Sequence, residues 1–327
     1  MPAITNSSVV LPVEYSREIL KGVIGRSKAL ELGRRLPDMI GKTYKLNVMQ
    51  HLPIAGWVKN QTTPAGAPDE IKHKPLSVLA WEGVDLVAEE IAVIVPISIN
   101  TLRDVENYVD IVPQINEEVI GAFDQVIDST LLFGANAPWN NYNGIVAGAT
   151  SAGAVVSWNG QGGRGFYDAI SAAMSYVENS GFMPDAILGA PSINAAFRGS
   201  LTDLGINATD QGEVGALPRH VDLTGGFNTS SAFAIVGDFK RGLVYSFRQE
   251  MEVRLLEEAT LYDAATGTTY YLAQQDMVAF RFTMRLGAAL PNPVTRVSGV
   301  LSSDGKYIEK GSSAYPFAVI TKSGASA

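Results

Sequence analysis

The residue types that most often carry catalysis or bind metals are scarce and widely separated in this chain of 327 residues. It contains three histidines, His51, His73 and His220, and no cysteine. No two histidines are spaced to ligate one ion from a single helix, so a zinc site is not predicted. The lack of cysteine excludes disulfides, thiolate ligands and cysteine nucleophiles. We therefore predict no catalytic residues, no metal site and no cofactor.

A glycine-rich run, GQGGRG at residues 160–165, precedes a predicted helix at residues 166–179. Glycine-rich loops of this kind can hold phosphate groups at a helix N-terminus. A P-loop also requires a Lys-Ser or Lys-Thr pair, which this run lacks. A dinucleotide-binding loop requires a preceding parallel strand. We interpret the run as a flexible loop between a strand and a helix.

A long amphipathic helix is predicted at residues 113–133. Its polar face carries four acids: Glu117, Glu118, Asp124 and Asp128. Paired carboxylates can act as general acid and base, but no His, Cys or Arg lies within this helix, so we predict a solvent-exposed face. The apolar stripe is typical of a helix packed on another element: Val112, Ile115, Val119, Phe123, Val126 and Ile127.

Composition narrows the class of protein further. Hydrophobic residues make up 46% of the chain, which is enough for a large core. The formal net charge of −8 excludes a nucleic-acid binder held by a basic field. There is no apolar run of transmembrane length, and the N-terminus lacks the pattern of a signal peptide.

The elements on either side of the helix are predicted to be hairpins. Residues 50–80 form an extended hairpin with a tip rich in Pro, Gly and Thr. Trp57 and Trp81 flank this tip, and they either contact a partner surface or close a small local core. Residues 242–290 alternate as a long antiparallel pair with one buried face. Residues 135–150 are predicted to be a loop, and residues 293–327 a minor hairpin or a peripheral extension.

In this order, the segments resemble the major capsid proteins of tailed bacteriophages, which have the Hong Kong 97-type fold. SREILKGVIGRSKALELGRRLPDM resembles the N-terminal arm, and LPIAGWVKNQTTPAGAPDEIKHKPLSVLAWEGVDL resembles the extended loop. IAVIVPISINTLRDV, with a helix ending in FDQVIDSTLLFG, is similar to the strand and spine helix of that family. NNYNGIVAGAT resembles the entry to the axial domain, and RQEMEVRLLEEA with MVAFRFTMRLGAALPNP resembles the last peripheral strands.

The resemblance implies an α+β fold with five parts. An N-terminal arm with a short helix and strand would occupy residues 1–49, and the extended loop residues 50–80. A peripheral domain with an antiparallel sheet would combine residues 81–135 and 240–292, with the spine helix at 113–133. An axial α/β domain would occupy residues 136–239, and a C-terminal extension residues 293–327.

The resemblance also implies contacts between subunits. The candidates lie on the extended loop, on the peripheral hairpin and in the arm: Trp57, Lys59, Lys72, Lys74, Tyr262, Asp263, Glu14 and Ile19. The founding member of the family joins its subunits by Lys-Asn isopeptide bonds. Residues 261–272 contain no Asn, which argues against that bond here.

The implied function is that of a structural protein, not an enzyme. Pentamers and hexamers would build an icosahedral head around double-stranded DNA, without sequence-specific binding and without a membrane. Portal, scaffolding and decoration proteins are possible partners. The protein would be found in the virion after assembly in the cytoplasm of the host bacterium. The alternative is an encapsulin-type compartment shell, which packages an enzyme cargo within the same fold.

Overall fold

The computed structural model describes residues 26–58, 72–100, 111–140, 142–160, 164–199, 213–214 and 217–322. Its residues cluster into two compact units. The described residues of one unit fall within Ala92–Ile120 and Val253–Phe282. Those of the other fall within Gly25–Ile91, Gly121–Glu252 and Thr283–Ala327.

Helices and strands are mixed along the chain. The helices are α1 (Lys28–Leu32), α2 (Ile111–Phe133), α3 (Gly144–Ser151), α4 (Arg164–Asn179), α5 (Ile193–Gly199) and α6 (Phe239–Gly242). The first strands are β1 (Arg34–Arg35), β2 (Thr43–Pro53), β3 (Ala80–Val87), β4 (Glu89–Ser98), β5 (Val155–Trp158), β6 (Ala186–Gly189), β7 (Glu213–Val214), β8 (Leu217–Val221) and β9 (Ala234–Gly237). The later strands are β10 (Val244–Leu256), β11 (Thr260–Asp263), β12 (Thr268–Tyr271), β13 (Met277–Ala289), β14 (Gly299–Leu301), β15 (Tyr307–Lys310) and β16 (Phe317–Lys322).

The long helix α2 starts at Ile111, two residues before the predicted start. It ends where Gly134 adopts φ 72° and donates its N–H to the Thr130 carbonyl at 2.9 Å. A Cβ at Gly134 would lie 2.4 Å from the Asn143 carbonyl oxygen, so both the conformation and the close approach require glycine.

The predicted stripe of α2 is correct at its centre and wrong at one position. Val119, Phe123 and Ile127 are buried. Val126 is 48% exposed, because it lines an open cavity and does not pack in the core. The prediction of an exposed acidic face is also wrong for Asp128, which is completely buried.

Strands β10 and β13 are neighbours in a four-stranded sheet with the order β1-β10-β13-β4. β1 runs parallel to β10, with Arg34 opposite Val244. β11 and β12 form a separate two-stranded hairpin, in which Tyr262 pairs with Thr269. The alternation of apolar and polar residues therefore predicted both the long neighbouring strands and the hairpin between them.

A six-stranded mixed sheet with the order β5-β16-β9-β6-β8-β7 forms the core of the region after α3. All side chains of β6 and β9 are buried. Helix α4 packs against β16, β5 and β9, and it contributes the fully buried Phe166 and Ile170. Residues that are apolar on both faces of these short strands explain why they lie at the centre of the sheet.

The prediction that residues 293–327 are peripheral is wrong for β16. This strand lies between β5 and β9, parallel to the first and antiparallel to the second. Its residues Phe317 to Ile320 are completely buried. Its sequence, FAVITK, indicates a strand but not its place in the sheet, because its neighbours there come from positions far earlier in the chain.

The predicted loop at residues 135–150 also contains a helix, α3, which buries Ile145, Val146 and Ala149. Glycine disfavours helix in isolation, but Gly148 is needed here because a Cβ would lie 2.1 Å from the Tyr315 hydroxyl. Tertiary packing therefore overrides the local propensity in this segment.

Candidate assembly surfaces

One group of exposed apolar side chains lies on the limbs of the extended loop and on the strand that follows it. β2 and β3 pair antiparallel from Thr43 opposite Val87 to His51 opposite Ala80, with an irregularity between Met49 and His51. Trp57 and Leu76, one on each limb beyond these strands, are both 84% exposed. Trp81 is 60% exposed on β3. Neither tryptophan is buried, so the structure does not support the alternative in which they close a local core.

Two of the three lysines predicted to lie on the extended loop are among the described residues. Lys74 is exposed, and Lys72 is half-buried. Lys59, together with Glu14 and Ile19 of the N-terminal arm, falls outside the described residues.

A second exposed region is the hairpin of β11 and β12. Tyr262 is 69% exposed and Tyr271 is 50% exposed. Asp263 fixes the turn, because its carboxylate accepts hydrogen bonds from the Thr266 hydroxyl at 2.6 Å and from the Ala265 N–H at 3.0 Å. The hydrogen bond from Thr266 lowers the pKa of Asp263, so this carboxylate stays charged at the hairpin tip. The hairpin therefore presents tyrosines beside a rigid acidic turn.

The glycine-rich run does not belong to a dinucleotide-binding unit. Residues 161–163 of the run lie outside the described residues. β5 and β6 flank α4 in the chain, but β16 and β9 lie between them in the sheet. A dinucleotide-binding βαβ unit has its two strands side by side. The arrangement of β5, α4 and β6 therefore serves to pack this sheet and does not form a dinucleotide-binding site.

Asp128, on α2, is the strongest polar feature that sequence reasoning missed. Its carboxylate accepts hydrogen bonds from the Ser27 hydroxyl at 2.7 Å and from the backbone N–H groups of Ala29 and Lys28 at 3.0 and 3.2 Å. The Thr224 hydroxyl lies 3.1 Å away on the other side. Asp128 therefore caps α1 and joins it to the spine helix.

Two neighbouring acids complete this cluster. The Thr224 hydroxyl also lies 2.6 Å from Asp222, a buried carboxylate, so one hydroxyl proton faces two acids. Burial raises the pKa of Asp128 to about 6, and Asp222 adds to the rise while Ser27 opposes it. Asp124, one turn earlier, lies 3.8 Å from the Arg26 guanidinium. Its pKa is raised by burial, and Arg26 limits the rise.

A cavity of about 260 Å³ opens beside the C-terminal half of α2. Val126, Ile127 and Leu131 form one part of its lining, and Trp139 and Leu286 form another. The Trp139 ring is held by its N–H, which donates to the Val87 carbonyl at 2.7 Å. The lining is mostly apolar, which suits packing against an apolar group.

Within the part of the chain that the structure describes, no group of three or more His, Cys, Asp or Glu residues is arranged to hold a metal ion. No helix in those ranges is long and apolar enough to cross a membrane. The exposed apolar side chains of the described residues include Trp57, Leu76 and Tyr262 on the two hairpins, and exposed apolar groups of this kind are typical of surfaces that contact other proteins.

Together these elements define a shell-forming structural protein with the Hong Kong 97-type fold. The chain belongs to the phage capsid family, whose model matches residues 7–294. It is a major capsid protein that assembles with copies of itself, as the sequence resemblance predicted. Because the family and its structural relatives are capsid proteins, this chain is a structural protein of the virion and not an enzyme.

Solved phage structures share the fold along almost the whole chain. A chain from Microbacterium phage Oxtober96 is 27% identical, with a TM-score of 0.79, over 98% of this chain and 100% of that one. A chain from Mycobacterium phage Adephagia is 24% identical, with a TM-score of 0.81, over 98% of each. The capsid of a native GTA particle is 13% identical, with a TM-score of 0.63, over 96% of each.

None of the curated protein sequences matches the chain. The family match and the phage structures favour a phage capsid over an encapsulin-type compartment.

Proposed function

We propose that this major capsid protein forms pentamers and hexamers of an icosahedral head that encloses double-stranded DNA. The observation that carries the proposal is the exposure of Trp57 on the extended loop of a capsid-family chain. An isolated subunit gains nothing from an 84% exposed tryptophan, whereas a neighbouring subunit can bury it. Obligate interfaces of this kind bury on the order of 2,000 Å² or more.

The domain assignment belongs to the same proposal. The arm would be residues 1–49, the extended loop 50–80, the peripheral domain 81–135 with 240–292, and the axial domain 136–239. Residues 293–327 would serve both the loop and the axial domain, since β15 pairs with β2 and β16 lies in the six-stranded sheet.

The partners follow from this role. A portal protein would be one partner, and a scaffolding or decoration protein would act during or after assembly in the host cytoplasm. The net charge of −8 suits a container that must not retain DNA during packaging, because a basic lining would bind phosphates. DNA would therefore be enclosed without sequence-specific contacts.

The test is expression of the chain alone and together with the neighbouring phage genes, followed by negative-stain electron microscopy. We expect capsomers or closed shells in at least one preparation. A chain that stays monomeric in both would contradict the proposal.

The contact residues are tested by substitution. Trp57→Ala and Tyr262→Ala should each reduce shell yield about tenfold or more, since buried aromatic anchors dominate interface energies. Tyr176→Ala, which removes a 44% exposed aromatic ring on α4, is the matched control and should leave the yield unchanged. Equal shell yields from all three variants would show that Trp57 and Tyr262 do not lie in the interface. Lys59, Lys72, Lys74, Asp263, Glu14 and Ile19 are the remaining contact candidates.

A further inference from the structure

The C-terminal hairpin, formed by β14 and β15, extends the sheet of the extended loop. β15 pairs with β2, with Tyr307 opposite Pro53 and Ile308 opposite Leu52. The Tyr307 ring stacks on the His51 ring at 3.9 Å between centroids. Residues late in the chain therefore form part of the sheet that carries the first limb of the extended loop.

The turn of this hairpin contacts the returning limb of the loop directly and the outgoing limb through Ser77. The Lys306 carbonyl accepts hydrogen bonds from the Ser77 hydroxyl at 2.7 Å and from the Val78 N–H at 3.3 Å. The same Ser77 hydroxyl accepts a hydrogen bond from the Ile54 N–H at 2.8 Å. One serine thus links the outgoing limb, the returning limb and the C-terminal hairpin.

The stem of the hairpin is anchored to the end of α4. The Thr295 and Ser298 hydroxyls both donate to the Ser180 carbonyl, at 2.6 and 3.0 Å. Ser180 directly follows α4 and is buried. The Arg296 guanidinium donates to the Pro53 carbonyl at 3.0 Å, at the end of β2. Polar contacts therefore run from the helix that packs on the six-stranded sheet, through the hairpin, to the loop.

Burial cannot hold the loop limbs in place. Leu76 on the returning limb is 84% exposed, and Val300 and Leu301 on the hairpin are 54% and 59% exposed. With little apolar surface removed from water here, strand pairing and the hydrogen bonds at Lys306 and Ser180 must supply the order.

We infer that the C-terminal hairpin is a brace that fixes the direction of the extended loop relative to the six-stranded sheet. The inference rests on the proposed function, because the braced loop is the element that would reach the neighbouring subunit. A loop that leaves each subunit in one direction favours one contact geometry, and hence shells of one size. The residues that position the loop are Ser77, Lys306 through its carbonyl, Thr295 and Ser298.

The test combines hydrogen exchange of the full-length subunit with the size of the assembled shells. Ser77→Ala removes the hydroxyl that joins the two limbs to Lys306. We expect amides within residues 50–58 and 76–82 to exchange about tenfold faster, as expected for the loss of two hydrogen bonds. Thr295→Val combined with Ser298→Ala should have the same effect through the stem. Ser312→Ala, an exposed serine in the connection to β16, is the control and should match the wild type.

Shells of the Ser77→Ala variant should show a broader distribution of diameters in electron micrographs than wild-type shells. Unchanged amide exchange in both variants would contradict the inference that the C-terminal hairpin fixes the loop. Faster amide exchange together with shells of normal diameter would show that the hairpin does not set the contact geometry between subunits. A wild-type chain that forms no shells would contradict the proposed function instead, and the exchange measurement would still decide whether the brace exists.

Discussion

The Ser27 hydroxyl donates a hydrogen bond to the Asp128 carboxylate at 2.7 Å, although the two residues are 101 positions apart in the chain. Ser27 is the N-cap of α1, so the same hydroxyl also accepts a hydrogen bond from the Leu30 N–H. Through this pair the spine helix holds the first described helix of the chain. Since Asp128 is buried among other acids, the strength of this link depends on its protonation state.

Stability should therefore fall as the pH rises through the titration of Asp128. Folding raises the pKa of this group from 3.8 to about 6, so the folded protein binds the proton more tightly than the unfolded chain. The contribution to stability is complete below about pH 4 and is lost above about pH 6, and it amounts to about 3 kcal/mol. Asp128 faces the Asp222 carboxylate, the Ser27 and Thr224 hydroxyls and the backbone donors of α1, and Arg26 pairs with Asp124 nearby.

Asp128→Asn should remove this pH dependence. The amide keeps an acceptor for Ser27 and carries no charge, but its nitrogen faces the Lys28 N–H and loses that hydrogen bond. We expect a net gain of about 1–2 kcal/mol near pH 8 and little change near pH 4.5. Urea unfolding at both pH values measures the difference. Glu118→Gln, an exposed acid on the same helix, is the control. A variant with the wild-type pH slope would show that Asp128 does not titrate as described.

The buried stripe of α2 should be far more sensitive to truncation than its exposed part. Phe123→Ala removes a ring that is only 5% exposed, and we expect a loss of about 3–5 kcal/mol. Val126→Ala, on the same helix but 48% exposed, should cost less than about 1 kcal/mol. Thermal and urea unfolding of the two variants test this contrast. Similar losses for both would mean that Val126 packs as the sequence predicted.

Phe317 should behave as a core residue. Its ring is completely buried and makes an edge contact with Phe239 at 5.1 Å between centroids. Gly237 leaves room for it, since a Cβ there would lie 2.3 Å from the ring. Phe317→Ala should therefore cost about 3–5 kcal/mol. Val300→Ala, 54% exposed on the C-terminal hairpin, is the control and should be nearly neutral. A tolerated Phe317→Ala would mean that β16 is peripheral after all.

Local pattern was sufficient for the elements whose partners or periodicity are close in sequence. The spacing of Val119, Phe123 and Ile127 predicted the buried face of α2, and the alternation in residues 242–290 predicted neighbouring long strands. The position of β16 could not be predicted in this way, because its pairing partners, Val155 and Ile235 opposite Val319, lie far back in the chain.

The contact surfaces were predicted for a different reason. Trp57 precedes a tip rich in Pro, Gly and Thr, a position that left both contact with a partner and a small local core open, whereas Tyr262 stands directly before the predicted turn at Asp263, so its place on a hairpin could be predicted from sequence. Asp128 could not, because its donors come from residues 27–29 and from Thr224, and no periodicity relates those segments to α2. A buried acid and an exposed acid on one helix look the same in a single sequence.

The place of β16 in the six-stranded sheet also orders events during translation. β5 and β9 are made well before the strand that lies between them, so β5 has no strand partner in the sheet until β16 emerges from the ribosome. A nascent chain that stops earlier lacks the strand that joins β5 to the rest, and it exposes two unpaired strand edges. Completion of this sheet therefore waits for one of the last segments of the chain, and a subunit truncated before it would present unpaired strand edges that could pair with another chain.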